Sequence, residues 1–223
     1  MSLEQLSYLA QIVGSRRLMA IVSYRSKGRY VRNATTLILC VSCCACTQLP
    51  YTEIPDPFAT HAKAVVFDID GTLTPDVSAP FGARKDASDA VRAYAEKGYQ
   101  VVYLSTRVSW LSAGIPAWLN ENGFPAGSIH VAQTRDERRQ PEAYKTGVLR
   151  AYIARGWKLE YAYGDSSTDL AAYAAAGVPE EHVFVLLRRG DSSCQPGLAA
   201  VCLHDWSEHL AFISTSVANA KDD

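Results

Sequence analysis

Residues Lys63 to Thr74 read KAVVFDIDGTLT. The stretch begins as a short, apolar, β-branched run and ends in two aspartates, Asp68 and Asp70, followed by Gly71. A strand that is apolar throughout is typical of a parallel sheet covered on both faces. The glycine permits a tight turn whose backbone N–H groups can face an anion. We therefore predict a buried strand with an acidic site at its carboxyl end.

The chain beyond this stretch alternates apolar strands with amphipathic helices. Further strands are predicted at residues 99–104, 128–132, 159–163 and 182–187, and helices at 86–97, 110–122 with an interruption at Gly114, 141–155 and 168–176. This alternation predicts an α/β fold, a Rossmann-like three-layer sandwich around a central parallel sheet of about five strands. Ligands bind such sheets at the carboxyl ends of the strands.

The carboxylates of Asp68 and Asp70 suit a site in which one is a nucleophile and the other transfers protons. Backbone N–H groups near Gly71 and Thr72 could then hold an anion. The alternative is an acidic turn or a calcium loop, since such loops begin with a similar Asp-x-Asp-Gly pattern. The downstream Glu expected of a calcium loop is missing, and a strand leads directly into the motif.

Other polar residues fall at or near later strand ends. Ser105 follows the second strand and could hold a phosphoryl oxygen, although strand ends commonly carry Ser or Thr for turn bonding. Lys145, on a predicted helix, could neutralise a transferring phosphoryl group, although a lone helical Lys is usually solvated. Asp165 and Asp169, in GDSSTD after the fourth strand, could hold Mg²⁺, and this segment also suits a helix cap.

The order of these motifs resembles the haloacid dehalogenase superfamily of phosphatases. DIDGTLT, the serine of YLSTR (103–107), Lys145 and GDSSTD (164–169) correspond in sequence to its four motifs. Residues 64–189 are also similar to the catalytic domain of lipin-type phosphatidate phosphatases, and to the lipin-like domain of large phosphatidylinositol-transfer proteins. One departure is Asp165, where lipins tend to have Asn.

The resemblance implies a Mg²⁺-dependent phosphatase or a phosphatidate-binding domain. It implies that Asp68 attacks phosphorus, that Asp70 acts as acid and then as base, and that Mg²⁺ is held by Asp68, the backbone carbonyl of Asp70, and Asp165, supported by Asp169. It further implies that Ser105, Lys145 and the backbone near Gly71 and Thr72 stabilise the transferring group. Arg107 would either contact the substrate or form a surface salt bridge.

The spacing of the motifs leaves no room for a large cap domain, so we expect an open site. An open site suits a lipid phosphate such as phosphatidate, and it is also compatible with a general phosphomonoesterase of the cell envelope. A non-catalytic phosphatidate-binding module is the third hypothesis. Aromatic side chains such as Trp110 and Trp118 are expected to pack in the core or on the surface of the protein rather than to contact lipid.

Charge is distributed unevenly along the 223 residues. Residues 1–46 contain six basic side chains and one acidic one, whereas the whole chain has a formal charge of -1. Residues 34–46, ATTLILCVSCCAC, follow the basic stretch and carry no charge. This pattern predicts a signal segment, with Met19 as an alternative start. The near-neutral total does not favour a nucleic-acid partner.

The end of this apolar run, CACT at residues 44–47, resembles a bacterial lipoprotein cleavage site with Cys46 as the lipidated residue. Cys43 is a second candidate anchor, and simple cleavage of the signal is the alternative. We therefore expect an exported protein of the bacterial cell envelope or periplasm, with a membrane lipoprotein as one form. In an oxidising compartment Cys194 and Cys202 could form a disulfide.

Four segments follow from these patterns. They are the signal at 1–46, a proline-containing extended linker at 47–62, the phosphatase-like domain at 63–215, and a tail at 216–223.

Overall fold

The computed structural model of the protein describes residues 49–199 and 201–222. The predicted signal segment, the alternative start at Met19 and the candidate lipidation site at Cys46 lie outside these residues. Within the described part of the chain, no helix is both long enough and apolar enough to span a membrane.

The centre of the fold is one sheet in which every paired strand is parallel, in the order β3-β2-β1-β4-β5-β6. The strands are β1 (Lys63–Asp68), β2 (Gln100–Ser105), β3 (Ser128–Val131), β4 (Lys158–Gly164), β5 (Val183–Leu186) and β6 (Val201–Leu203). The predicted α/β architecture is confirmed, with six described strands rather than about five. The additional strand, β6, has three residues and is exposed over two of them, so it lacks the apolar run that predicts a strand.

Helices connect the strands. They are α1 (Ala87–Glu96), α2 (Ser109–Ser112), α3 (Ile115–Glu121), α4 (Arg135–Arg139), α5 (Pro141–Ala154), α6 (Ser167–Ala175) and α7 (Leu210–Thr215), with a 3₁₀ turn at Glu180–His182. The predicted interruption at Gly114 is confirmed, because α2 ends and α3 begins on either side of it. The short helices α4 and α7 were not predicted, since neither is long enough to show a helical period.

The two faces of the sheet are buried under separate sets of helices. Val65 and Phe67 of β1 pack beneath α1, α3 and α7, whereas Ala64 and Val66 pack beneath α5 and α6. This alternation follows from the two-residue period of a strand. Each fully buried large apolar side chain stabilises the fold by about 1.5–3 kcal/mol. The segments between the strands hold no large cap among the described residues.

The stretch at 49–62 lies against the domain. Thr52 N donates to Ile129 O and Ile129 N donates to Thr52 Oγ1, both at 3.0 Å, so this stretch is fastened to the edge strand β3. Trp157 Nε1 donates to Pro55 O at 2.8 Å. The sequence predicted an extended linker here and did not predict these contacts, because a proline-containing stretch without periodicity does not indicate what its backbone will bond.

The C-terminal residues also pack on the domain. Ala220 is buried, and its N–H donates to Lys97 O at 2.7 Å beyond the end of α1. Val217 O accepts a hydrogen bond from Lys97 Nζ at 2.7 Å. The described part of the predicted tail, 216–222, is therefore part of the packed structure.

A disulfide joins Cys194 to Cys202. It ties the segment that follows β5 to the edge strand β6, as the sequence had allowed. Arg188 lies on the same segment, so the disulfide restrains a loop that borders the carboxyl edge of the sheet.

Candidate active site

The carboxyl ends of β1, β2 and β4 bring the predicted polar residues together. Asp68 is the last residue of β1 and lies opposite Leu104, one residue before the end of β2 at Ser105. Asp165 directly follows the last residue of β4. Parallel strands end at one edge of a sheet, and that arrangement gathers side chains distant in sequence.

Asp68 lies at the centre of the cluster. Lys145, projecting from α5, donates hydrogen bonds to Asp68 Oδ1 and to Asp169 Oδ1. Thr72 Oγ1 donates to Asp68 Oδ2 at 3.3 Å. All four side chains are buried. The lone helical lysine is therefore a buried cation between two carboxylates rather than a solvated side chain.

Burial and charge act in opposition on these groups. Burial raises the pKa of Asp68 well above its ordinary value, although the Lys145 ammonium acts in the other direction. Burial also opposes ionisation of Asp169, but Lys145 and hydrogen bonds from Ser166 hold its pKa below the ordinary value. Despite its own burial, Lys145 has a raised pKa because Asp169 and Asp68 surround it. Lys145 is consequently charged at every physiological pH.

Asp70 turns toward a different pair of donors. Ser105 Oγ donates to Asp70 Oδ2 at 2.7 Å, and Arg107 Nε donates to Oδ1 at 2.8 Å. Arg107 is itself buried, and Ser112 Oγ donates to its carbonyl oxygen at 3.1 Å. Arg107 therefore forms a buried ion pair with Asp70, whereas the predicted alternative to substrate contact was a surface salt bridge.

Asp165 is paired with an arginine that the sequence analysis did not single out. Arg188 Nε donates to Asp165 Oδ2 at 2.6 Å. Burial, followed by the nearby Asp169 charge, raises the pKa of Asp165 to about 6 in spite of that arginine. Arg188 stands two residues after β5, so its position at a strand end was the available signal.

Asp169 also shapes the start of α6. Ser166 is the N-cap residue, and its side chain and that of Asp169 form a capping box. Asp169 Oδ2 accepts from Ser166 Oγ at 2.6 Å and from Asp165 N at 3.2 Å. The predicted helix cap and the predicted charged site are therefore built from the same residues.

Gly71 is required by the packing of the cluster. Its φ is +85°, and a Cβ at this position would lie 2.0 Å from Asp165 Oδ2. Its N–H donates to Thr74 Oγ1 at 2.9 Å, so this predicted anion donor is bonded within its own loop. Arg84 Nη2 donates to Gly71 O at 2.7 Å and to Leu187 O at 2.8 Å, and thereby joins the loops after β1 and β5.

Three of the residues predicted to hold a metal fit that task. Asp68, Asp165 and Asp169 each place a carboxylate oxygen within 4.8 Å of those of the other two. Carboxylate oxygens are ligands that Mg²⁺ prefers, and three clustered carboxylates carry more negative charge than the two cations Lys145 and Arg188 offset. The side chain of Asp70 lies outside this group, because it is bonded to Ser105 and Arg107.

A cleft of about 440 Å³ opens beside Asp165 and is lined by Asp76, Val77, Arg188, Arg189 and other residues of the same two loops. A groove of about 530 Å³ lies elsewhere, between residues 51–54 and the outer face of α5, and contains none of the clustered acids. The smaller cleft is therefore the one that reaches the candidate site.

The sequence model of the LNS2 domain of the phosphatidylinositol-transfer proteins PITM 1–3 matches residues 65–187, which include the whole cluster. The chain belongs to the LNS2 family. In this LNS2 domain, the matched range runs from β1 to the residue after β5.

Proteins with similar sequences include membrane-associated phosphatidylinositol transfer proteins. Membrane-associated phosphatidylinositol transfer protein 3 of Homo sapiens is 26% identical over 69% of this chain and 16% of its own length. Membrane-associated phosphatidylinositol transfer protein 1 of Homo sapiens is 30% identical over 61% of this chain and 11% of its own length. Protein retinal degeneration B of Drosophila melanogaster is 29% identical over 67% of this chain and 12% of its own length. The LNS2 chain thus spans about a sixth or less of these relatives.

Solved structures confirm the fold. D,D-heptose 1.7-bisphosphate phosphatase from B. bronchiseptica, complexed with magnesium and phosphate, superposes with a TM-score of 0.52 and 19% identity over 70% of this chain and 99% of that one. A chain of the Pnkp1/Rnl/Hen1 complex superposes with a TM-score of 0.50 and 19% identity, over 62% of this chain and 50% of that one. The predicted resemblance to the lipin-like domain of phosphatidylinositol-transfer proteins is confirmed by the family match, and the solved structures confirm the predicted α/β fold.

Proposed function

We propose that this LNS2 domain is a Mg²⁺-dependent phosphatase that hydrolyses a phosphate monoester through an aspartyl-phosphate on Asp68. One observation carries the proposal: Asp68, Asp70, Ser105, Lys145, Asp165 and Asp169 converge at one edge of the sheet. A site that only bound phosphate would need cations and N–H donors, but not a buried carboxylate beside a second acid.

In the first step, a carboxylate oxygen of Asp68 attacks phosphorus, and the bond from phosphorus to the ester oxygen breaks. Asp70, in its protonated form, donates its proton to the leaving alkoxide, and the alcohol departs. Lys145, already bonded to Asp68, stabilises negative charge on the transferring group. Splitting the displacement in two replaces one difficult step by two easier ones.

In the second step, Asp70 removes a proton from water, and the water oxygen attacks phosphorus. The bond from phosphorus to Asp68 breaks, inorganic phosphate leaves, and both aspartates return to their starting forms. Ser105 and Arg107 hold the Asp70 carboxylate at 2.7 and 2.8 Å, so it is oriented for both proton transfers. Orientation of this kind supplies much of the acceleration in phosphoryl transfer.

Asp68, Asp165 and Asp169 would hold the Mg²⁺ ion, together with the backbone carbonyl of Asp70. When bound, the ion would supply positive charge that offsets the clustered carboxylates and the phosphoryl oxygens. Lys145 and Arg188 already place one cation each against these acids. The protein therefore surrounds the reacting phosphate with positive charge from several directions.

We propose a lipid phosphate such as phosphatidate as the substrate. The open edge of the sheet supports a substrate presented by a surface, and the matched relatives are named as membrane-associated phosphatidylinositol-transfer proteins. A general phosphomonoesterase of the cell envelope would use the same chemistry on soluble esters. Parallel assays with phosphatidate vesicles and a soluble aryl phosphate distinguish these two substrates.

A non-catalytic phosphatidate-binding module is the second candidate function. It is favoured by the names of the relatives, and by the engagement of both aspartates, Asp68 by Lys145 and Asp70 by Arg107. Such a module would bind phosphatidate vesicles and release no phosphate from any ester.

We further propose export to a bacterial cell envelope, with Cys46 as a lipid anchor. The basic and then apolar order of residues 1–46 supports this location. Mass spectrometry of the N-terminus of the native protein tests it. An acylated Cys46 is the expected result, and a protein that retains residues 1–46 would exclude it.

The deciding experiment measures phosphate release by the purified protein with Mg²⁺, with EDTA, and in two variants. We expect activity that requires Mg²⁺, is abolished in Asp68→Asn, and is retained in Asp89→Asn, an exposed aspartate of α1. Full activity of Asp68→Asn, or no release by the native protein from any ester, would exclude the phosphatase.

A further inference from the structure

The rim of the candidate site beyond β1 and β2 carries no charge. Two segments form it, residues 77–83 (VSAPFGA) and 108–120 (VSWLSAGIPAWLN), and neither contains an Asp, Glu, Lys or Arg. Ile115, Trp118 and Leu119 of the second segment are buried in the core, so only its exposed positions belong to the rim. Both segments leave the carboxyl edge of the sheet, one after β1 and the other after β2.

Large apolar side chains on this rim are exposed. The exposed fractions are 66% for Val77, 71% for Phe81, 46% for Val108 and 77% for Trp110. Trp110, for which packing in the core or on the surface was expected, is among these exposed side chains. Single exposed apolar residues are ordinary, but a group of them around one site marks a contact surface.

The rim is joined to the catalytic residues. Arg107 Nη1 donates to Pro80 O at 3.3 Å, and Trp118 Nε1 donates to Phe81 O at 3.0 Å. Trp118 therefore bonds the second rim segment to the first, and the same Arg107 that holds Asp70 bonds to the first segment as well. Whatever the rim contacts is brought close to the acid-base group.

Val77 brings the rim to the cleft beside Asp165. It lines the 440 Å³ cleft together with Asp165, Arg188 and Arg189. Acids are present there too, including Asp76, so the net charge of the cleft does not identify a partner. The kind of partner is indicated instead by the apolar side chains of the rim and by their position beside the site.

We propose that Val77, Phe81, Val108 and Trp110 form a docking surface for a phospholipid bilayer, which delivers a headgroup phosphate to Asp68. The inference rests on the proposed function, because a lipid phosphate is available only at a bilayer. Tryptophan prefers the boundary between water and lipid, and uncharged loops enter that boundary without the cost of desolvating ions. An uncharged rim with the exposed side chains of Trp110 and Phe81 meets both conditions.

The test compares two double variants of the full chain. Phe81→Ser/Trp110→Ser removes two exposed apolar side chains of the rim, and Phe58→Ser/Ile153→Ser removes two exposed apolar side chains elsewhere. Binding to phosphatidylcholine vesicles, with and without phosphatidate, is measured by sedimentation. Hydrolysis of a soluble aryl phosphate and the far-UV circular dichroism spectrum are measured alongside.

We expect the rim variant to bind vesicles at least about tenfold more weakly than the native protein, since two large apolar contacts are lost. The control variant should bind normally, and both should keep the native spectrum and the native rate on the soluble ester. In the native protein, Trp fluorescence should shift to the blue on vesicle addition, and the rim variant should lose that shift.

Equal vesicle binding by the rim variant and the native protein would overturn the inference, as would no binding by the native protein. A native dimer that the rim variant loses, without vesicle binding, would assign the rim to a protein interface and overturn it too. Failure of the phosphatase looks different: no ester is hydrolysed, while rim-dependent vesicle binding persists and supports the docking surface.

Discussion

Arg107 Nε donates a hydrogen bond to Asp70 Oδ1 at 2.8 Å, and Arg107 Nη2 lies 2.7 Å from the same oxygen in an ion pair. Ser105 Oγ donates to the other carboxylate oxygen, Oδ2, at 2.7 Å. The proposed acid-base group is thus oriented on both sides by buried donors. The arginine comes from the segment after β2, so two neighbouring strand ends cooperate in one contact.

Replacing this arginine should impair turnover more than binding. We expect Arg107→Met to lower kcat by about 100-fold with little change in KM for a soluble ester, because misplacing a reacting group costs about that much. Arg92→Met provides the control, since Arg92 forms an exposed ion pair with Asp89. Steady-state kinetics check the prediction, and a rate loss of equal size in the two variants would contradict it.

Removing the buried cation should destabilise the fold. Lys145→Met leaves Asp68 and Asp169 without their shared partner, and we expect the free energy of unfolding to fall by about 3–5 kcal/mol. Lys85→Met, at an exposed position, should change it by less than about 0.5 kcal/mol. Urea unfolding measures both variants.

The deficit of Lys145→Met should shrink as pH falls. Without the ammonium, the two carboxylates accept protons more readily, so their repulsion disappears in acid. A deficit that stays constant from pH 7 to pH 4.5 would show that lost packing, rather than unpaired charge, is its cause.

A methyl group at Gly71 should disrupt the site. Gly71→Ala would place a Cβ 2.0 Å from Asp165 Oδ2 at a φ of +85°, so we expect loss of phosphate release and a lower melting temperature. Gly147→Ala is the matched control on α5, where a Cβ meets no atom within 4 Å. That variant should gain up to about 1 kcal/mol of stability. Thermal unfolding and the ester assay would contradict the prediction if Gly71→Ala behaved like the control.

The disulfide should contribute to stability. Closing a loop of this size lowers the entropy of the unfolded chain and so raises the free energy of unfolding by about 2–3 kcal/mol. The variant Cys194→Ser/Cys202→Ser should lose that amount of stability. Dithiothreitol should produce the same loss in the native protein and none in the double variant. An unchanged unfolding midpoint of the native protein after reduction would refute this contribution.

Two buried histidines should weaken the fold in mild acid. Burial lowers the pKa of His130 and of His209 from 6.5 to about 4, and each accepts or donates a hydrogen bond with a tyrosine hydroxyl. The unfolded state therefore binds more protons between pH 6.5 and 4, and stability falls as pH falls through that window. The loss is up to about 3 kcal/mol per histidine.

The raised pKa of Asp165 has the opposite effect, because it makes the fold more stable as pH falls. The contribution of each histidine is therefore measured by comparing variants rather than from the native protein alone. His130→Gln and His209→Gln should each lose less stability than the native protein between pH 7 and 4.5. His61→Gln, on the described N-terminal stretch, should retain the native pH dependence. Identical pH profiles for all three variants would contradict the assignment.

Much of the fold and site could be predicted because the signals were local. The run before Asp68 is apolar on both faces, and Gly98 and Gly114 interrupt helical patterns, so strands and helices were placed within one or two residues. The strand-end rule then placed Asp68, Ser105 and Asp165 at one edge. The sixth strand could not be predicted, because β6 is too short and too exposed to leave a pattern.

The sequence by itself determined the alternation of strands and helices, and the identity of the acids at the strand ends, because periodicity and turn chemistry act over a few residues. Only the tertiary structure decided the partners: Lys145 between Asp68 and Asp169, Arg107 on Asp70, and Arg188 on Asp165. It also decided that Trp110 is exposed. Those contacts join residues far apart in the chain, and charge pairing and burial depend on distances in space that no local pattern encodes.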